Sequence, residues 1–298
     1  MTSPKTAAAP QAIPAIAARP PSRSDLRRIL HNRQTITGLA LLAVTTLVAL
    51  VGPLVAPYSV SAIVTLPFAQ PTAEFPLGGD ALGRDVLSRV LGGGRELVLE
   101  AFAATIIGVL LGAILGLTAA YARGAIDVLL MRISDVLLAF PTIILALLFV
   151  SMLGASPWLL VAIVAMSHVP SVARVIRGAA MPVVQNEHVL WARAVGIPAW
   201  KIVMREVAPL VTSPLMVEFG LRLMWSVGAL ASLSFLGYGT QAPAADWGLM
   251  VSENRNALTF QPYPVVVPIL MIAIFTIGGN LVSEGIARAL GRTEGNRS

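Results

Sequence analysis

The sequence predicts an all-α membrane protein with six transmembrane helices and both termini in the cytoplasm. Three observations carry this. Of 298 residues, 56% are hydrophobic and only 12% charged, against about 25% charged in soluble domains, and the mean hydropathy is +0.79. Apolar runs of roughly 20 residues, enough to cross a ~30 Å hydrocarbon core as a helix, recur six times. Lys and Arg fall between those runs with a one-sided bias, which sets the orientation.

Residues 1–22, MTSPKTAAAPQAIPAIAARPPS, are rich in Ala and Pro and carry no helical or strand period, so a disordered cytoplasmic tail is expected. Residues 23–35 form a basic juxtamembrane segment with Arg23, Arg27, Arg28 and Arg33. The run TITGLALLAVTTLVALVGPLVAPY follows at 35–58. Its apolar part is longer than that of a signal peptide, so an uncleaved first span is expected. Five more spans fall near 97–121, 131–153, 157–177, 207–236 and 265–287. Backbone groups cannot stay unpaired in lipid and these runs are too long for barrel strands, so the spans are helices. The membrane domain thus covers 36–292, with a short tail at 293–298.

Of the 21 basic residues, sixteen fall on the side of the N-terminus: Lys5, Arg19, Arg23, Arg27, Arg28, Arg33, Arg123, Arg132, Arg174, Arg177, Arg193, Lys201, Arg205, Arg288, Arg292 and Arg297. Arg84, Arg89, Arg95 and Arg255 fall on the other side, and Arg222 lies within a span. This asymmetry places the first group inside. It leaves two sizeable outer loops, 58–96 and 237–264, and one sizeable inner loop, 178–206.

The inner loop contains NEHVLWARAVGIPAWKIVMREVAP, residues 186–209. Asn186 suits a helix N-cap, Glu187 the positive end of the helix dipole, and Gly196 the C′ position. Pro198 suits the first position of a second helix that continues through Lys201 and Arg205 into the next span. Val189, Ala192 and Val195, with His188, share one side of the first helix. Caps at both ends and a Trp on each side of the turn, Trp191 and Trp200, predict a folded docking element rather than a solvated connector.

Composition also excludes several chemistries. There is no cysteine, and the three histidines, His31, His168 and His188, are too dispersed to suggest a metal site by spacing. The pI near 10.5 reflects basic residues beside apolar spans, not the basic face of a nucleic-acid binder. No G-x-x-x-x-G-K-[ST] occurs, and neither Lys5 nor Lys201 sits in a Gly-rich turn, so the chain is expected to bind no nucleotide itself.

Arg222 lies deep in the fifth span, one turn after Glu218, and a charge at that depth needs a partner or water. The pair reads either as two charges neutralising each other or as a pathway site for a cargo carboxylate, with Trp225 on the same helix. Asp135 reads as a partner of Arg132 or Arg174, while His168 and Glu100 read as packing or interfacial residues. In the outer loops, Gly78, Gly79, Gly83, Arg84, Asp85 and Arg89 suggest turns followed by an amphipathic helix. Asp246 suits the N-cap of a short helix bearing Trp247 and Met250.

EHVLWARAVG, followed by Trp200, Ile202, Arg205 and Pro209, resembles the cytoplasmic loop of permease subunits of binding-protein-dependent ABC importers. The peptide-importer subfamily reads Glu-Tyr-Val-x-Ala-Ala-Arg-Ala-Leu-Gly there, with a Pro spaced as Pro209 is from Gly196. FPLGGDALGRDVLSRVLGGGR at 75–95, MRISDVLLAFPTIILAL at 131–147, SFLGYG at 234–239 and DWGLMVSENR at 246–255 are similar to the dipeptide and oligopeptide permeases.

The resemblance implies a type I ABC importer permease fold that binds no cofactor of its own, with ATP and Mg on partner subunits. Implied partners are a second permease, ATPase subunits, an extracytoplasmic binding protein and membrane lipid, in the prokaryotic inner membrane. Glu187, His188, Trp191, Ala192, Arg193, Gly196, Ile202 and Pro209 would then serve ATPase coupling, and Glu218, Arg222 and Trp225 the translocation pathway. Asp80, Arg84, Asp85, Trp247 and Arg255 would meet the binding protein. The chain departs from the subfamily at His188 (usually Tyr), Trp191 (usually Ala), Arg222 (usually Gly) and Leu230 (usually acidic). The implied cargo is a dipeptide or oligopeptide, with a metal chelate or peptide-like metabolite as alternatives.

Rival functions find less support. LGYGT at 236–240 resembles a potassium filter, but Phe235 and Leu236 stand where Thr and Val precede such a filter. A secondary transporter would not require a capped inner helix and has more intramembrane acids. No H-E-x-x-H or G-x-S-x-G supports an enzyme.

Overall fold

The computed structural model describes residues 32–295, with side chains as far as Arg288. The expected tail at 1–22, most of the basic segment 23–35 and residues 296–298 lie outside the described residues. The described residues are helical apart from loops and two isolated β-bridges, Ile63 with Arg84 and Gly79 with Asp85. The helices are α1 (Arg33–Val55), α2 (Val86–Gly92), α3 (Arg95–Ala122), α4 (Gly124–Leu138), α5 (Thr142–Leu153), α6 (Pro157–Val183), α7 (Glu187–Ala194), α8 (Ala199–Ile202), α9 (Thr212–Phe235), α10 (Trp247–Asn254) and α11 (Tyr263–Gly295).

Among the described residues, five stretches are long and apolar enough to cross a membrane, and α4 with α5 makes a sixth only as a broken pair bent by 79°. The single third span expected at 131–153 is therefore corrected. Its helix begins earlier, at Gly124, and breaks before Pro141, which has no N–H to donate and disfavours helical geometry at Phe140. Proline has the opposite effect at the start of α6, where Ser156 caps the helix through its hydroxyl and Pro157 occupies the first helical position.

Helix α6 runs on to Val183, so the inner loop is shorter than 178–206. The last span extends to Gly295, so positions 293–295 are helix rather than tail. The fifth span also differs from a uniform helix. A π-helical turn at Val203–Val207 and a 3₁₀ turn at Ala208–Val211 precede α9. Pro209 lies inside this irregular run, where its missing N–H and its ring interrupt the α ladder.

The most extensive helix pairing among the described residues is α3 with α6. Gly108, Gly112 and Gly116 recur every fourth residue along α3, and a Cβ on Gly108 or Gly116 would meet the Ala165 or Ala173 carbonyl at 2.6 or 2.5 Å. Where lipid tails are as apolar as Leu, this close backbone approach is a main source of helix association. Around it one core joins Leu97, Ala101, Leu160, Val164, Val227, Leu230, Trp247 and Phe275. A second joins the far ends of α3 and α6 to Val189, Ala192, Ile202, Val207 and Val211.

The two ends of α3 identify the two ends of the molecule. The Trp247 amide donates to the Gly93 carbonyl just before the helix, while the Arg193 guanidinium lies 5.0 Å over the Tyr121 ring at its close. At 1.5 Å per residue a helix of this length is roughly 40 Å long, so the 186–209 segment and the 237–262 loop cap opposite ends.

Candidate functional site

At one end, α7 and α8 form a compact helix pair. Asn186 stands at the N-cap in extended geometry, but its side chain makes no capping hydrogen bond. The turn closes as expected around Gly196, at φ +82°: the Gly196 amide donates to the Arg193 carbonyl and the Ile197 amide to the Ala192 carbonyl. Pro198 sits one position earlier than expected, as the N-cap of α8 rather than its first residue.

Val189 and Ala192 pack into the second core with Ile202 and seat the element on its own bundle. Pro209, in the 3₁₀ turn, is likewise half-buried. Arg193 is exposed but lies over Tyr121, tying α7 to α3. What faces outward is apolar: Leu190, Trp191, Val195, Trp200 and Met204 are all exposed, with Trp191 at 66% and Trp200 at 65%. Glu187 and His188 are exposed beside them. Nearby, Arg174 pairs with Asp135 and Arg177 with Asp127, which fasten α4 to α6.

Midway along the bundle, α9 lines an open cavity of about 810 Å³ with α5 and α11. Arg222 and Trp225 border it, and Thr276 and Asn280 contribute polar side chains from α11. Arg222 Nη2 lies 2.9 Å from Glu218 Oε2, and the carboxylate is the more buried partner. Behind this wall, three side chains join three helices: His168 Nε2 lies 2.8 Å from Ser226 Oγ, and Ser226 Oγ 2.9 Å from Thr105 Oγ1. The His168 ring also meets Trp225 edge to face at 6.4 Å. His168 is a packing residue, but the polar chain across α3, α6 and α9 escaped sequence reasoning because its members are far apart in sequence.

At the opposite end, loop 58–94 folds against α10. Asp80 and Glu253 hold Arg84 and Arg89 between them: Arg84 lies 2.6 Å from Asp80 and 2.7 Å from Glu253, and Arg89 lies 2.9 Å from Glu253. Asp85 caps α2 through the Ser88 amide and hydroxyl. Trp247 is fully buried, donating from Nε1 to the Val90 carbonyl. Asp246 caps α10 at the Leu249 amide, as expected. Burial pushes the Asp246 carboxyl above its ordinary range, against the opposing hydrogen bonds of Leu249, Ser234 and Gly248.

Asp80, Arg84, Asp85 and Trp247 are buried and form the internal frame of this cap, while Arg255 is exposed. The LGYGT segment is a helix terminus. Gly237, at φ +85°, is the C′ residue of α9, and the Tyr238 amide donates to the Leu233 carbonyl, which is unlike the extended carbonyl ladder of an ion filter.

A bundle of membrane-length helices with a mid-depth cavity and a folded helix pair at one end defines the membrane subunit of a transporter. The chain belongs to the family of binding-protein-dependent transport system inner membrane components, whose family model matches residues 108–294. The N-terminal transmembrane domain of oligopeptide transport permease C matches residues 22–71, and the chain is a permease subunit of a peptide-type ABC importer.

It is 37% identical over 220 residues to the glutathione transport system permease protein GsiD of Pectobacterium atrosepticum, covering 74% of this chain and 73% of that one. To the dipeptide transport system permease protein DppC of Alkalihalophilus pseudofirmus it is 32% identical over 273 residues, 91% and 89% of the two chains. A chain of the MetNI methionine ABC transporter in inward-facing conformations shares the fold, with a TM-score of 0.53, 17% identity, and coverage of 70% of this chain and 95% of that one.

Proposed function

We propose that this permease imports short peptides or peptide-like metabolites across a prokaryotic inner membrane, with the α7–α8 end in the cytoplasm and ATP and Mg held by separate ATPase subunits. The observation that carries the reading is the outward apolar rim of Leu190, Trp191, Val195, Trp200 and Met204 on an element whose inner side is seated in the core. Such a rim at an aqueous end, next to the basic residues Arg193, Lys201 and Arg205, fits a partner protein. Glu187, His188, Trp191 and Gly196 contribute its surface and turn, with lipid around the spans.

Closure of the ATPases would press on α7 and tilt α9, through the irregular 203–211 segment, between two positions. A second, similar permease would complete the pathway across the α9 cavity. Arg222 gives that cavity a guanidinium, a match for the carboxylate end of a peptide. The relatives' names, dipeptide and glutathione, fit cargo of this kind. Arg255 remains available to a binding protein at the outer end.

The test is purification from membranes with the ATPase, second-permease and binding-protein subunits, followed by reconstitution. Peptide-stimulated ATP hydrolysis and peptide accumulation are expected; an ATP-independent ion current in their place would overturn the reading.

A further inference from the structure

The α9 cavity does not end at Trp225. A second, more apolar cavity of about 470 Å³ continues along the helix past Phe235 and Leu236 to α10, where Gly248 and Val251 wall it. The two share Gly228 and Ser232. From Arg222 to Leu236, at 1.5 Å per residue, the groove follows α9 for roughly 20 Å, most of the thickness of a hydrocarbon core. Leu221, Trp225, Gly228, Ser232 and Phe235 recur at helical spacing and are the face that α9 turns toward it.

Gly228 stands where the cavities meet, and its own fold gives no reason for a glycine. A Cβ built there meets nothing within 4 Å, and its φ is not in the left-handed region. Among the helical glycines of ordinary φ between Gly38 and Gly285, only Gly178, near the end of α6, is equally open; the others touch a neighbouring backbone or side chain. Glycine is the poorest helix former after proline, so its presence mid-helix weakens α9 without a packing return. The gain is space, at one of the two positions, with Ser232, that the cavities share.

We propose that Gly228 is the clearance position for cargo, so that the side chain at 228 sets the girth of peptide that passes between the Arg222 region and the outer end of the groove. The occupant is a peptide in transit rather than an adjacent helix, because the same groove is lined by the Arg222 guanidinium, Thr276 and Asn280, which favour water or polar cargo over close helix packing. This rests on the reading of α9 as the pathway.

Two measurements separate the clearance idea from that reading. Because the chain has no cysteine, Gly228→Cys, Ser232→Cys and Leu221→Cys each carry a single thiol. In the reconstituted full complex, labelling by a membrane-impermeant thiosulfonate is expected at all three, slowed by a saturating peptide. No labelling at any of them removes the pathway reading itself, and labelling at 221 and 232 but not 228 removes only the clearance proposal.

The second measurement compares uptake of alanyl-alanine and tryptophyl-tryptophan by wild type, Gly228→Ala and Gly228→Leu. Gly228→Leu is expected to assemble normally and to lower the bulky-to-small uptake ratio by at least about tenfold, with Gly228→Ala intermediate, as added methylenes in a fitted passage do. An unchanged ratio overturns the proposal. So does loss of subunit assembly in both variants, which would make Gly228 a helix-packing site.

Discussion

The Arg222 guanidinium borders the α9 cavity and lies 2.9 Å from the carboxylate of Glu218, one turn earlier, whose side chain is only 7% exposed. Neither charge is tolerable alone at that depth, so each conditions the other. Arg222→Ala leaves Glu218 unpaired and is expected to cost about 3 kcal/mol, the low end for a broken buried pair. The double variant Glu218→Gln, Arg222→Met should recover most of that loss while altering cargo preference. Thermal unfolding in detergent and competitive uptake read the two effects separately; full recovery with unchanged preference would leave the pair a purely structural device.

Gly196→Val places a β-branched residue at φ +82°, where strain of about 1–2 kcal/mol is expected. The Cβ itself meets open space, so the bundle should still insert and fold. The strain falls on the turn between α7 and α8, so transport should fall steeply while expression is retained. Uptake equal to wild type would show that the turn carries no coupling.

Gly196 also marks how much was legible. Its turn, the α7 boundaries and the Asp246 cap were readable because caps are local chemistry, carried by one or two residues. The same holds for five of the six spans, whose apolar length is a local property. The break before Pro141 was equally available, and was missed because hydropathy averages across a proline.

Which face of α7 points outward was not readable. The apolar stripe at Val189 and Ala192 is real, but only the positions of Ile202, Val207 and α3 decide that it faces the bundle. Likewise Arg84 and Arg89 read as outer-surface charges until Glu253, more than 160 positions away, is brought between them.

Trp191 and Trp200 expose most of their surface, and the Lys201 ammonium lies 5.5 Å over the Trp200 ring. Trp191→Ala and Trp200→Ala are therefore expected to change unfolding of the isolated permease by no more than about 0.5 kcal/mol. If they anchor the ATPase, each should weaken its binding by at least about 2 kcal/mol, roughly thirtyfold. Titration of the purified ATPase subunit onto the permease in nanodiscs measures this. Ala192→Leu provides the contrast: with the site 4% exposed, overpacking should destabilise the permease by about 1–3 kcal/mol before any partner is added.

The outer cap separates internal frame from contact surface in the same way. Glu253 bonds both Arg84 and Arg89, whose side chains are 3% and 0% exposed, so Glu253→Ala leaves two buried guanidinium groups to the single carboxylate of Asp80. A loss of about 3 kcal/mol is expected, together with faster proteolysis of the 58–94 loop, because the loop loses its ion-pair tie to α10. Arg255, exposed and directly after the last residue of α10, has no comparable role in the frame, so Arg255→Ala should stay within about 0.5 kcal/mol of wild type. Binding-protein affinity measured on both variants then has a clear interpretation. A drop with Arg255→Ala, at unchanged stability, reports a contact, whereas a drop with Glu253→Ala that tracks the loss of the loop reports only that the surface was no longer held in shape.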